Sequence, residues 1–121
     1  MKKILIFGAG SIGNHMSYAC IKLGYKVYIT DKNSEALKRM KHQIYPKRYG
    51  KWNNNINQIK FLNLNKLNII FDLIIIGTPP NTHIKLLEKI KKTLRYKKIL
   101  IEKPLSTYLE NFQKLKYEKN L

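Results

Sequence analysis

The chain has 121 residues and a formal net charge of +17, from 24 Lys and Arg against 7 Asp and Glu. This length predicts one domain, residues 1–121, with its own core, because a chain of this size buries about two-thirds of its unfolded surface. No apolar run approaches the ~18 residues of a membrane span. The single cysteine, Cys20, excludes an internal disulfide and fits a reducing compartment, so we expect a cytoplasmic globular protein without membrane contact.

The excess of positive charge has two interpretations. A basic protein can bind nucleic acid or another polyanion through phosphate groups. Here the lysines are scattered, and Lys, Asn and Ile together make up 50 of the 121 residues, the bias expected of an A+T-rich genome. We therefore favour compositional drift and expect no nucleic-acid partner, and we keep a basic polyanion-binding protein as an alternative function.

The N-terminal part of the chain predicts a strand, a helix and a second strand. An apolar strand is predicted at 2–7, a helix at 11–23 and a strand at 26–30. Gly24 fits the C-terminal cap of this helix. Cys20 is expected to be a small core residue of the helix. The inward face is predicted from four apolar residues at helical spacing: Ile12, Met16, Ala19 and Leu23.

Three glycines connect the first strand to the helix in the pattern G-x-G-x-x-G. Gly8 permits a tight turn, Gly10 allows a ligand to approach the backbone closely, and Gly13 lets the helix pack on the strand. In the context of two strands and a helix, this pattern predicts a dinucleotide-binding turn. The alternative is a strand-to-helix turn that binds no ligand.

Two further features of this segment suit a dinucleotide. The N–H groups at the start of the helix, at Ser11 and Ile12, lack intrahelical partners and favour a diphosphate. Asp31 ends the second strand, 18 residues after Gly13, where its carboxylate can accept hydrogen bonds from the adenosine ribose hydroxyls.

The segment after Asp31 begins as a short helix and then loses its periodicity. Asn33 or Ser34 is predicted to cap a helix that ends near residue 41, with Leu37 and Met40 inward. Residues 42–55 show no period, and we predict an irregular surface excursion. Its aromatic and basic residues are Tyr45, Tyr49, Trp52, Lys47, Arg48 and Lys51. They predict either a small apolar cluster, which we favour, or a face for a sugar, nucleotide or partner.

The rest of the chain alternates strands with helices. Strands are predicted at 58–62, 71–77 and 98–101, and amphipathic helices at 81–94 and 109–121. This alternation predicts an α/β fold with a doubly wound parallel sheet of about five strands and flanking helices.

Ligands of such sheets bind at the carboxyl ends of the strands, so the residues that follow the last two strands are candidate site residues. The fourth strand leads into Thr78-Pro79-Pro80-x-x-His83, where successive prolines fix the backbone and Asn81 is expected to cap the next helix. The fifth leads into Glu102-Lys103-Pro104. Charged residues at the tip of a buried strand indicate a site more than packing.

These motifs, in this order and spacing, resemble the glucose–fructose oxidoreductase / inositol dehydrogenase (Gfo/Idh/MocA) family. The resemblance covers essentially the whole chain, as the N-terminal NAD(P)-binding Rossmann domain of that family. It implies an oxidoreductase that transfers hydride between a nicotinamide cofactor and a secondary alcohol of a sugar or nucleotide-sugar.

The resemblance also implies roles for individual residues. Thr78 and Pro79 would line the cofactor near its ribose and nicotinamide, and His83 would be mainly structural. Lys103 would lie beside the nicotinamide and the reacting carbon and act in catalysis, with Glu102 orienting nearby groups and both touching the cofactor. A lysine there can stabilise a developing alkoxide or exchange its proton. No metal ligands are expected.

The same resemblance bears on cofactor choice. Asp31 would favour NAD over NADP. Lys32, Lys38 and Arg39 lie nearby in the sequence and are compatible with a 2′-phosphate, so NADP stays an alternative.

The family has a second, larger domain, which carries the substrate pocket and would lie beyond this chain. We therefore expect the chain to be a fragment or truncated protein that binds cofactor without turnover and reaches a sugar-type substrate only through that domain. An uncovered sheet edge would favour homo-oligomers. A regulatory nucleotide-sensing Rossmann module is the other alternative.

Overall fold

The computed structural model describes residues 1–101, apart from the side chain of Pro80. The predictions at Glu102, Lys103, Pro104 and the helix at 109–121 lie outside the described residues.

Strands and helices alternate along the described chain. The strands are β1 Lys3–Phe7, β2 Lys26–Thr30, β3 Ile56–Gln58, β4 Ile70–Phe71, β5 Leu73–Ile76, β6 Arg95–Tyr96 and β7 Ile99–Ile101. The α-helices are α1 Ser11–Lys22, α2 Ser34–Arg39, α3 Tyr45–Tyr49 and α4 His83–Thr93. A π-helical turn spans Met40–Ile44, and 3₁₀ turns span Phe61–Lys66 and Pro80–Thr82. Within residues 1–101, no helix is long and apolar enough to cross a membrane.

The main sheet has the strand order β3-β2-β1-β5-β7, and every pair is parallel. β4 and β6 form a small separate parallel pair. The predicted doubly wound parallel α/β fold is confirmed. Phe7 pairs with Thr30 of β2 and with Ile76 of β5, so these three strands end at the same level. The strand order reverses at β1, and this is where such sheets bind their ligands.

The sheet is buried on both faces by two hydrophobic clusters. Leu5 and Phe7 of β1 point into one cluster, together with Leu87 and Ile90 of α4. Ile4 and Ile6 point into the other, which receives α1 and α2 and includes the cysteine. The expectation that Cys20 is a core residue is confirmed, and burial raises the pKa of its thiol.

The predicted inward face of α1 is wrong at its two ends. Met16 packs against the core and Ala19 is half-buried, as predicted. Ile12 is 42% exposed and Leu23 is 67% exposed. The buried residues of the helix are Gly13, Asn14, Ser17 and Cys20. The reason is a close approach between α1 and β1: a Cβ added at Gly13 would overlap the carbonyl oxygen of Gly8. At that distance only small side chains fit between helix and sheet. The C-terminal cap is as predicted, with Gly24 at φ +82°.

The segment predicted to be irregular continues as helix as far as Tyr49. Asn33 caps α2 as predicted, because its Oδ1 accepts a hydrogen bond from Glu35 N at 3.0 Å. Pro46 then interrupts the helical hydrogen bonds, since it has no N–H and its ring clashes with the carbonyl four residues earlier. The chain accommodates it with one π turn, in which the N–H of Tyr45 donates to Met40 O.

Two of the predicted strands have other boundaries in the structure. The third strand forms at Ile56–Gln58, before the predicted 58–62, and Phe61 begins a 3₁₀ turn. The fourth is divided at Asp72, whose carboxylate accepts from Lys3 N at 2.8 Å. That bond and the Lys97 ammonium hold the pKa of Asp72 below its usual value.

Asn81 does not cap α4. The cap position is Thr82, and no side chain accepts a capping hydrogen bond there. The Thr82 hydroxyl donates instead to Pro79 O at 2.6 Å. The segment from Pro79 to Thr82 is therefore held by its own hydrogen bond before α4 begins at His83.

Replacing Gly13 by Ala is expected to lower the free energy of unfolding by about 3 kcal/mol, because the methyl group would push α1 away from β1. Gly10→Ala is the matched control: a Cβ there meets no atom within 4 Å, so the expected change is within about 1 kcal/mol. Urea unfolding followed by Trp52 fluorescence measures both. Equal midpoints for the two variants would contradict the close packing.

Candidate functional site

A cleft of about 1090 Å³ opens at the carboxyl edge of β1, β2 and β5. Its size suits a large organic ligand. Six of the predicted cofactor-binding residues line it: Gly8, Gly10, Ile12, Asp31, Thr78 and Pro79. Gly13 is buried behind the turn, and Ser11 lies exposed beside it. The fold therefore brings the two sequence motifs, 70 residues apart, to one cavity, while Glu102 and Lys103 lie outside the described residues.

The three glycines of the turn have different physical requirements. Gly8 has φ +107°, and a Cβ there would lie 3.1 Å from the carbonyl carbon of Gly77. Gly13 is required by the contact with Gly8. Gly10 is not required by the protein, because a Cβ there meets no protein atom within 4 Å. Gly10 borders the cleft, so the space beside it is available to a ligand that approaches the backbone closely.

Asn14 holds this turn in place and was missed from the sequence. Its side chain is fully buried, and Nδ2 donates to Ala9 O at 3.1 Å and to Gly10 O at 2.7 Å. A polar residue directly after the third glycine is a weak signal, since its two acceptors become neighbours only when the turn has folded. The amide fixes the carbonyls of the turn in one orientation.

Gly10 also begins α1 without a side-chain cap, and the first turn of the helix has no acidic residue. The N-terminus of a helix carries roughly half a positive charge on N–H groups that point outward. This end of α1 meets the cleft at Ile12. The arrangement is suited to an anionic group such as a diphosphate.

Asp31 ties the glycine turn to the end of β2. Its Oδ2 accepts from Ala9 N at 2.9 Å, and its Oδ1 accepts from Asn33 N at 2.8 Å. Each oxygen has acceptor capacity left for a further donor, and the residue is partly exposed and borders the cleft. The carboxylate is therefore held in a position from which it can accept ribose hydroxyls, the role predicted for it.

The neighbouring Thr30 is one of three described residues, with Asn14 and Ser17, whose side chain has a buried polar atom without a hydrogen-bond partner. Thr30 borders the cleft and is fully buried, and its Oγ1 has no hydrogen-bond partner among the residues that the structure describes. A buried polar atom without a partner costs free energy. The residues of this cleft thus fit a dinucleotide: an open cradle at Gly10, N–H donors on α1, and a fixed acceptor at Asp31.

His83 supports the opposite wall of the cleft. It is fully buried, and its Nε2 lies 2.8 Å from Thr78 O, to which that nitrogen donates. Thr82 Oγ1 lies 2.7 Å from Thr78 Oγ1. These contacts fix the backbone at Thr78 and Pro79, in keeping with the structural role implied for His83.

The cleft is bordered by more positive than negative side chains. Asp31 is the acidic residue of the described lining, and its basic residues are Lys32, Arg39, Lys85 and Lys89. The ammonium groups of Lys32 and Lys89 lie 5.5 Å and 4.4 Å from the ring centroid of Phe61. Such a cleft attracts anions. Of the three basic residues considered for a 2′-phosphate, Lys38 does not border the cleft and pairs with Glu35 at 3.4 Å.

The aromatic residues of the helical continuation pack on one another. Tyr45 is buried and lies edge-on to Trp52, with 5.2 Å between ring centroids. Tyr49 stacks on Tyr18 of α1 at 4.6 Å. The apolar cluster is therefore present, although it is built on a helix, and Tyr45 is not available as a ligand-binding face. The cluster joins α3 to α1.

The family comparison agrees with this geometry. Residues 2–119 match the family model described as the GFO_IDH_MocA oxidoreductase family, NAD-binding Rossmann fold. The chain belongs to this family. The resemblance drawn from its motifs is confirmed, and NAD is the cofactor of this family's domain. No curated protein sequence matches the chain significantly.

Solved structures share the fold. A myo-inositol dehydrogenase from Corynebacterium glutamicum is 23% identical with a TM-score of 0.65, and the match covers 96% of this chain and 32% of that one. The WlbA dehydrogenase from Bordetella pertussis, solved with NADH and UDP-GlcNAcA, is 20% identical with a TM-score of 0.67, covering 95% and 32%. At these identities the likeness shows the fold alone, and this chain spans about a third of their length.

The open space beside Gly10 leads to a prediction about cofactor affinity. Gly10→Ala is expected to raise the dissociation constant for NADH about tenfold, or about 1.4 kcal/mol, because the methyl group occupies the space that the diphosphate needs. Adenosine, which has no diphosphate, serves as the control ligand, and its affinity should stay unchanged. Isothermal titration measures both. An unaltered NADH affinity would contradict a diphosphate position beside Gly10.

Proposed function

We propose that residues 1–121 are the cofactor-binding domain of an NAD-dependent oxidoreductase that transfers hydride between the nicotinamide and a secondary alcohol of a sugar or nucleotide-sugar. The observation that carries the proposal is the cleft itself. A glycine that the protein does not require, an uncapped helix N-terminus and a fixed carboxylate meet in one cavity. When bound, the nicotinamide supplies the carbon that donates or accepts the hydride.

The chain's own residues divide the work of binding. Gly8 and Gly13 set the shape of the turn, and Gly10 gives the diphosphate access to the N–H groups of Ser11 and Ile12. Asp31 accepts the hydroxyls of the adenosine ribose. Thr78 and Pro79 border the part of the cleft assigned to the nicotinamide. His83 holds them in place through its hydrogen bond to Thr78 O.

The catalytic assignment follows the family resemblance. Lys103 exchanges the proton of the substrate hydroxyl or stabilises its alkoxide, and Glu102 orients it. In support, β7 ends at Ile101, which pairs with Ile76 two residues before Thr78. The assignment of a sugar-type substrate is supported by the myo-inositol dehydrogenase and by the neighbour solved with UDP-GlcNAcA.

We expect the purified chain to bind NADH saturably, and Asp31→Ala to weaken this binding at least tenfold because the ribose loses its acceptor. Asp31→Asn is the matched variant, since its amide keeps an acceptor oxygen, and its loss should be smaller. Quenching of Trp52 and the emission of reduced nicotinamide report binding. No saturation by NADH at millimolar concentration would refute the proposal.

NADPH is titrated beside NADH. Lys32 and Arg39 border the cleft next to Asp31 and could hold a 2′-phosphate. A tighter complex with NADPH than with NADH would show that the assignment of NAD is wrong for this chain, although the domain would still be a dinucleotide-binding one.

The chain alone is proposed to bind cofactor without turnover, with its small-molecule substrate bound by a further domain. Mixing the chain with NAD⁺ and myo-inositol or a UDP-sugar should therefore give no increase in absorbance from NADH. A steady increase that depends on Lys103 would show that these 121 residues already contain the substrate site.

A further inference from the structure

We propose that Arg48 binds the diphosphate of the dinucleotide from the outer side of the cleft. This inference rests on the proposed function, because it adds one residue to the cofactor site. The observation behind it is the contact between Arg48 and Ser11, the first residue of α1. Neither the glycine pattern nor the motifs at the strand ends assign any role to this arginine.

The contact places a positive charge at the start of α1. Nη1 of Arg48 donates to Ser11 Oγ at 2.8 Å, across 37 residues of sequence. Ser11 follows Gly10, the glycine whose missing side chain leaves open space beside the turn. The guanidinium is therefore next to the N–H groups that the proposed function assigns to the diphosphate.

The helical continuation after α2 holds Arg48 in this position. Ile44 borders the cleft, and Arg48 follows four residues later, which puts both on the same helical face. Tyr45 is buried and Tyr49 stacks on Tyr18 of α1, so α3 is fixed against α1 on either side of Arg48. The π turn before Tyr45 sets this orientation, because it shifts the inward face by one residue.

The electrostatics of the contact favour an anion. The N-terminus of α1 is positive, Arg48 adds a full positive charge, and the first turn contains no acidic residue. A negative group between the helix N-terminus and the guanidinium would be attracted by both and would offset their mutual repulsion. A diphosphate would meet both, through the helix N–H groups on one side and the guanidinium on the other.

Arginine has the donors for both partners. The guanidinium carries five N–H donors in a planar fork, and the bond to Ser11 uses one of them. The others can bind phosphate oxygens, singly or as a pair. The chain has 21 Lys and three Arg. Arg39 borders the cleft, and Arg48 bonds to Ser11, which lies between the lining residues Gly10 and Ile12.

The test compares Arg48→Gln with Lys47→Gln. Both residues are exposed neighbours on α3, and both variants remove one positive charge. Dissociation constants are measured for NADH, ADP and adenosine at one fixed salt concentration. Arg48→Gln should raise the dissociation constants of NADH and ADP about tenfold and change that of adenosine by less than twofold. Lys47→Gln should leave all three ligands within twofold.

Two further variants separate contact from charge. Arg48→Lys keeps the charge without the planar fork, and its loss should be intermediate. Ser11→Ala releases the guanidinium, so it should weaken ADP binding in the same direction, and the loss in the double variant with Arg48→Gln should be less than additive. Thermal unfolding curves check that each variant is folded.

The inference alone is overturned if the wild type binds NADH and Arg48→Gln behaves like Lys47→Gln. It is also overturned if Arg48→Gln weakens adenosine as much as ADP, because the residue would then act through the fold. If the wild type itself binds neither NADH nor ADP, both the proposed function and this inference are refuted.

Discussion

The contact between Gly13 of α1 and the carbonyl oxygen of Gly8 is the constraint on which the rest of the site depends. It brings the helix so close to β1 that only small residues fit between them, which explains why Ser17 and Cys20 are inward and Ile12 is not. The same approach holds the helix N-terminus at the point where the strand order reverses. The glycine turn between the two elements is then left at the surface of the cleft, so one packing distance determines both the core face of α1 and the place where an anion can bind.

Local signals in the sequence were sufficient for the first two strands and for the glycine turn. β1 and β2 contain continuous apolar runs, and the glycines and Asp31 stand at the spacing typical of a dinucleotide-binding turn. The inward face of α1 could not be read in this way, because periodicity assumes that large apolar residues point inward. That assumption fails where helix and sheet are nearly in backbone contact. The distance between α1 and β1 is set by tertiary packing, and Gly13 is the residue in the sequence that indicates it.

The helix after Met40 was missed for a different reason. In an uninterrupted helix the inward residues after Leu37 and Met40 would include Ile44, and the aromatic residues would fall on another face. The π turn that Pro46 requires adds one residue, so the inward series continues with Tyr45 and Tyr49. The inward residues therefore follow the helical period of 3.6 before and after the π turn, and the turn shifts the second series by one residue. Arg48 was named only as part of an alternative aromatic and basic face, and its contact with Ser11 was not predicted, since the two residues are 37 positions apart.

The positions of individual charged side chains explain more of the site than the number of basic residues around it does. The described cleft lining has four Lys or Arg for one Asp, close to the ratio of 24 to 7 in the whole chain. A basic cleft of this kind is what compositional drift would produce anywhere on the surface. What composition does not produce is a guanidinium bonded to the first residue of an uncapped helix, or a carboxylate whose oxygens are each held by a backbone N–H. Long-range attraction of an anionic cofactor therefore comes from the general excess of lysine, and it falls as salt is added. The proposed function assigns the selection of a diphosphate and a ribose to the fixed groups, which act over hydrogen-bond distances and are screened much less.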